Sequence, residues 1–365
     1  MKRHARRSQE QVAPESVSST EWETPVIPLL KQPKRDLLST FTSLRQRNFR
    51  LFWFGQIISL MGSMMQIIGQ TWLVLDLTHS PWQLGLVGAL QALPILLFSI
   101  FGGVFADRWP RRRVLLLTLS AAMIQALLLW ILIATGTLQL WHLYMLVILL
   151  GLTNSLSRPA SRAFIVELVG REDLPNAVAL NFSISNLARI VGPGLGGIII
   201  ATGGVSTLFL LNALSFLPII VGLLLIRGYE LHAQVPQHRS LSVRQSLREG
   251  IDYVWKTPAI LLVIFVVGLV LLFGSNFNVV LPLFATNVLH VGATGFGFLS
   301  AATGLGALLS ALWLAWNNQR PTIRSMLIGM LLFGLLEGAF ALSRLYPLSL
   351  VLIASIGFTE EAFAM

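Results

Sequence analysis

The chemistry this sequence offers lies in polar and charged side chains set inside long apolar runs. Gln56, Ser59, Ser63, Gln66 and Gln70 fall at offsets 0, 3, 7, 10 and 14, the spacing of one helical face. Gly55, Gly62 and Gly69 mark another face. A polar stripe on an apolar helix either lines a cavity or hydrogen-bonds to its neighbours, and these five residues stand as cavity-lining candidates. Arg189 stands in the middle of a second apolar run. A guanidinium there costs about 2.5–3.5 kcal/mol to insert, so it must face protein or water. It either contacts a substrate or carboxylate, or ties two helices together. Glu360 and Glu361 are adjacent carboxylates in the last apolar run, point about 100° apart on a helix, and are candidates for carrying a proton. Asn276 and Asn278 are two residues apart, so at most one can point inward; Asn276 joins the cavity candidates.

Bond-breaking chemistry finds no comparable grouping. The chain has no Cys, and its six His (4, 79, 142, 232, 238 and 290) never fall at a ligand spacing of i, i+4. Residues 192–197 fit G-x-G-x-x-G in form, but no strand precedes them and they lie mid-run, so a dinucleotide site is rejected. Only four Lys occur, none after a glycine-rich loop, which excludes a Walker-type ATP site. No cofactor and no metal are expected.

These side chains must be positioned by membrane helices. Of 365 residues, 55% are hydrophobic and only 12% charged, about half the charged share of a soluble domain. A soluble enzyme is excluded on that ground. A helix needs about 20 apolar residues to cross the hydrocarbon. Ten such stretches occur: 51–75, 83–106, 114–135, 140–157, 176–200, 206–226, 259–286, 294–316, 326–343 and 346–365. The fold class expected is therefore an all-α polytopic membrane protein.

Orientation follows from the basic residues. Segments 1–50, 107–113, 158–175, 227–258 and 317–325 hold 24 of the 26 Lys and Arg, whereas the alternate loops hold only Arg344. The positive-inside rule then places the amino terminus in the cytoplasm. The net charge of +10 reads as a topology signal rather than as a nucleic-acid footprint. Residues 1–50 read as a disordered cytoplasmic tail, 51–226 as a six-helix half, 227–258 as a cytoplasmic linker and 259–365 as a second half with four helices. Within the linker, Leu247, Ile251 and Val254 share one face of an amphipathic helix.

Between the second and third stretches runs Gly103-Val104-Phe105-Ala106-Asp107-Arg108-Trp109-Pro110-Arg111-Arg112-Arg113. Glycine, three residues, Asp-Arg, then a basic run resembles the signature loop of the major facilitator superfamily. In the fifth stretch, Gly192-Pro193-Gly194-Leu195-Gly196-Gly197 is similar to the packing motif of that superfamily's drug exporters. Arg158-Pro159-Ala160, Glu167-Leu168-Val169 and Phe209-Leu210-Leu211-Asn212-Ala213-Leu214-Ser215-Phe216 carry a likeness to the macrolide-efflux and enterobactin-exporter branch of drug:proton antiporter-like proteins.

The resemblance implies a twelve-helix bundle working by alternating access about a site near the midplane. Ten helices are found, so the last two are expected to be missing through truncation or a gene-model error. It further implies a secondary transporter, not an enzyme, that uses protons to expel a small amphiphilic drug or siderophore. Gly103, Asp107, Arg108, Arg111 and Arg112 would form a conformational latch, and Gly192, Pro193, Gly196 and Gly197 a packing seam. Partners expected are the substrate, protons and the lipid bilayer of the cell's inner membrane, with a monomer and no nucleic acid. A non-transporting receptor or scaffold on the same fold, or an inactive fragment, are the alternatives.

Overall fold

The computed structural model describes residues 42–232, 276–317 and 323–364, with isolated helical positions between 252 and 268; for 99–108 it describes the backbone alone. All long elements among the described residues are helices: α1 (Arg47–Thr78), α2 (Pro81–Arg108), α3 (Arg111–Ala134), α4 (Leu140–Val169), α5 (Leu174–Leu225), α6 (Phe277–Asn287), α7 (Ala293–Asn317), α8 (Ile323–Leu342) and α9 (Tyr346–Ala364). Seven of them, α1 to α5 with α7 and α8, are long and apolar enough to cross a membrane.

Several boundaries move from those read in the sequence. The tail ends earlier than residue 50, because a 3-10 turn at 42–45 leads into α1 at Arg47. Ser43 and Gln46 fix that turn. The Ser43 hydroxyl donates to the Asp173 carbonyl at 3.2 Å, and Gln46 Nε2 donates to Asp173 Oδ2 at 2.9 Å. The basic loop 107–113 shrinks to Trp109 and Pro110, since α2 runs through Arg108 and α3 starts at Arg111. Pro110, with φ −56°, occupies the N-cap of α3, where its missing N–H costs nothing.

Segment 158–175 is mostly helix, not loop. α4 continues to Val169 because Ala160, Phe164, Ile165 and Leu168 repeat at helical spacing and are buried against Phe49, Phe52, Leu115 and Leu223. Its 30 residues make it about 45 Å long, more than the hydrocarbon requires. The loop expected at 201–205 is also absent as such. Gly204, at φ 79° and ψ 165°, folds α5 into two arms, and only glycine takes that conformation without strain. The 227–258 linker and its amphipathic helix lie almost wholly outside the described residues.

α1 is the central element, and glycine lets it approach both arms of α5. A Cβ on Gly55 would stand 2.5 Å from Ile219 Cα, and one on Gly62 would overlap Ser215 Oγ. Along α1, Met64 meets Gly192 and Met65 meets Gly196 in the first arm, whereas Gly55, Gly62 and Gly69 meet Ile219, Ser215 and Leu208 in the second. The first arm therefore runs parallel to α1 and the second antiparallel.

The amino-terminal helices join α6 to α9 chiefly through α5 and α7. A Cβ on Gly197 would lie 2.6 Å from the Ala293 carbonyl, and one on Gly304 2.8 Å from the Arg189 carbonyl. A shared apolar cluster closes this seam, with Met65, Ile68 and Ile200 against Phe284, Phe296 and Ile353. Leucines such as Leu96, Leu117, Leu224 and Leu331 project outward and exposed, as a lipid-facing surface demands.

Candidate functional site

A cavity of about 440 Å³ opens among α1 to α5. Gln56, Ser59, Ser63, Gln66 and Gln70 of α1 all stand on its wall, with Arg189 from the first arm of α5. Apolar surface from Met64, Ile67, Leu119 and Phe216 completes it. Asn276 is not among the lining residues. It precedes α6 at φ −93° and ψ 28°, outside helical geometry, so the helical register that would aim it inward does not apply.

The α1 stripe also binds its neighbours. Gln66 Nε2 donates to Gln125 Oε1 of α3 at 3.0 Å, and Asn212 Nδ2 of α5 donates to Gln66 Oε1. Ser215 donates onward to Asn212 Oδ1 at 3.3 Å. Gln66, Gln125 and Asn212 are each at most 3% exposed. Three helices thus meet in an amide relay behind the cavity wall, and Gln125 Nε2 is left without a hydrogen-bond partner among the described residues. Inspection of the stripe alone could not reveal Gln125 or Asn212 as its partners. The signal for Gln125 was one amide in a charge-free apolar run, and in membrane helices such a group seeks a partner.

Arg189 and Glu361 come together across the two halves, with Nη1 3.7 Å from Oε2. Arg189 is 56% exposed and Glu361 23%, so the pair is wetted from the arginine side and its attraction is correspondingly screened. Glu360, the next residue, lies about 100° further round α9 and near enough to Glu337 on α8 for their charges to interact. The sequence left Arg189 divided between a substrate or carboxylate contact and a structural tie between helices, and the structure pairs it with a carboxylate of another helix. It lies on the cavity wall and holds a carboxylate from the other half.

The basic run at the start of α3 is anchored rather than loose. Arg111 pairs with Glu167 at the end of α4, both about four-fifths buried. Arg112 Nε donates to the Leu223 carbonyl at 2.8 Å, and its Nη2 to the Leu224 carbonyl at 3.1 Å. These are terminal carbonyls of α5, where a cation also meets the negative end of the helix dipole. Nearby, Arg227 donates to Glu230 at 3.1 Å, a contact that holds the guanidinium pKa above its ordinary value. Gly103, Asp107 and Arg108 fall on the last turns of α2, where the backbone alone is described. Gly192, Pro193, Gly196 and Gly197 all lie on the seam with α1 and α7.

A helical bundle closed by glycine seams, with a polar cavity walled by its amino-terminal helices, fits a secondary transporter. A family model described as transmembrane secretion effector, MFS_3, matches residues 38–357, and the chain belongs to that family of the major facilitator superfamily. It is 30% identical over 320 residues to the enterobactin exporter EntS of Shigella boydii serotype 18, covering 87% of this chain and 75% of the relative. The protein of the same name from Escherichia coli O139:H28 matches to the same extent.

Solved structures agree on the fold. A bacterial homolog of the human lysosomal transporter Spinster, inward-facing and unoccupied, superposes with a TM-score of 0.67 at 13% identity, over 87% of this chain and 73% of that one. A bacterial homologue of the iron transporter ferroportin, inward-facing, gives 0.54 at 16% identity, over 90% and 82%. The protein is a multi-pass inner-membrane transporter of the major facilitator superfamily.

Proposed function

We propose that the chain exports a small amphiphilic molecule, a drug or siderophore, from the cytoplasm in exchange for protons by alternating access. One observation carries this reading: a polar-walled cavity ends at an arginine paired, across the seam, with a carboxylate of the other half. Similarity to proteins named as enterobactin exporters supports outward transport of such a molecule. The split of basic residues supports ten spans with a cytoplasmic amino terminus, and the chain acts as a monomer.

In this reading the halves rock about the α5–α7 seam, where Gly197 and Gly304 keep the backbones close enough to pivot. Protonating Glu361 removes its charge and its attraction for Arg189, so the two access states respond differently to a proton. The signature run supplies the latch, with Asp107 as its movable charge and the contacts of Arg111 and Arg112 as its fixed base. Transport by the reconstituted protein tests the proposal, using a panel of dyes, macrolides and siderophores with and without a protonophore. Movement of at least one compound that stops with the protonophore supports it. A protein that moves none of them, or moves them regardless of the gradient, is not such an exporter.

A further inference from the structure

The cavity wall carries more positive charge than the Arg189–Glu361 pair explains. Arg158 and Arg162 of α4 also line it, and among the described residues no Asp or Glu does. Both arginines are exposed, and neither has an ion-pair or hydrogen-bond partner among the described residues. Asn154, Arg158 and Arg162 repeat at i, i+4, i+8 along α4, as do Asn181, Ser185 and Arg189 along α5. All six stand on the cavity wall, so two helices present polar faces to the same space.

The charges also descend in depth. Arg162 lies seven residues before the end of α4, about 10 Å from the helix end that carries the basic loops. Arg189 lies 15 residues beyond the start of α5, about 22 Å in. Arginines left without carboxylate partners on the cytoplasmic side of a cavity mark the path of an ion of opposite sign, because a cleft of one charge concentrates its counter-ion. On the same cavity wall, Met64, Ile67, Leu119 and Phe216 offer apolar contact to the body of a ligand.

We infer that the cavity selects anionic amphiphiles, the acidic group seated on Arg158 and Arg162 and the apolar body on Met64, Ile67, Leu119 and Phe216. This rests on the export reading for its physiological sense, but the selectivity itself is a property of binding. A planar guanidinium pair suits a carboxylate or other resonance-stabilised acid, which accepts two parallel N–H donors. An anion leaving a negative cytoplasm also runs with the membrane potential rather than against it.

The test measures binding to the purified chain in nanodiscs with two matched probes, the anion fluorescein and a cationic rhodamine methyl ester. Fluorescein is expected to bind more tightly by about tenfold or more. R158Q/R162Q should weaken fluorescein binding by about tenfold or more, and R158K/R162K should recover only part of it, because the charges return without the paired N–H donors. Arg344→Gln, in the opposite loop, should change nothing. Nanodiscs of phosphatidylcholine and of phosphatidylglycerol separate a substrate seat from a lipid-headgroup seat. Preference for fluorescein in both lipids supports the inference. Preference for the rhodamine, an unaffected R158Q/R162Q variant, or an arginine effect seen only in phosphatidylglycerol overturns it. Selective binding of fluorescein by a chain that moves none of the dyes, macrolides and siderophores would leave this inference standing and remove the export reading instead.

Discussion

Arg189 of α5 and Glu361 of α9 face each other 3.7 Å apart, one from each half of the transporter. A buried charge is expensive in an apolar helix, and each of these finds its counter-charge on a helix distant in the chain. That relationship makes the pair testable by charge. Glu361→Gln removes the attraction and should slow transport, and the exchange R189E/E361R should restore part of the rate. Transport assays on the three proteins check this.

The amide relay makes a separate prediction about stability. Gln66→Leu leaves Asn212 and Gln125 buried without their partner, which should destabilise the protein by about 1–3 kcal/mol. Gln66→Leu combined with Gln125→Leu and Asn212→Leu should cost less than the single change, because no buried amide is then stranded. Thermal unfolding in detergent, compared across the two variants, reads the difference.

At the α5–α7 seam, Gly197→Val places a side chain where even a Cβ would lie 2.6 Å from the Ala293 carbonyl. The backbones must separate, at a cost of about 1–3 kcal/mol. Cross-linking between cysteines introduced at Ile198 and Thr294 should slow accordingly, while insertion into the membrane is retained.

Asp107→Asn should lower transport without lowering the amount of protein in the membrane, since it changes a latch and not a span. Arg111→Gln should act differently. It strands the partly buried Glu167 and should destabilise the cytoplasmic end of α4 by about 1–3 kcal/mol. Comparing membrane abundance with transport rate separates the two effects.

Much of the fold was legible because hydrocarbon imposes a simple code. Apolar runs gave the helices, and the sevenfold glycines of α1 gave a close-packing face that the second arm of α5 fills. The sequence was less informative wherever a contact distant in the chain decides the outcome. α4 passes the membrane edge because Phe164 and Leu168 find partners on α1 and α5, and nothing within 158–175 announces those partners. Gly204 reverses the chain by a single positive φ, which looks from the sequence like a short loop. The cavity stripe was visible as a helical repeat. The pairing of Arg189 with Glu361, 172 residues apart, was not, because periodicity describes one helix at a time.

Topology is open to direct mapping. Reporters at Thr78 and Val291 should behave as external and those at Arg112 and Gln237 as cytoplasmic, from the distribution of Lys and Arg. Positions 112 and 291 on one side would contradict the arrangement.

The most direct measurement of proton-coupled export is substrate-driven proton movement in proteoliposomes, made with the wild type and with E360Q/E361Q. Adding a transported compound from the panel should move protons in the opposite direction to it in the wild type, and that signal should vanish in the double variant. Proton movement of unchanged size in E360Q/E361Q would contradict a coupling role for this end of α9, and none in the wild type during substrate transport would contradict proton-coupled export itself.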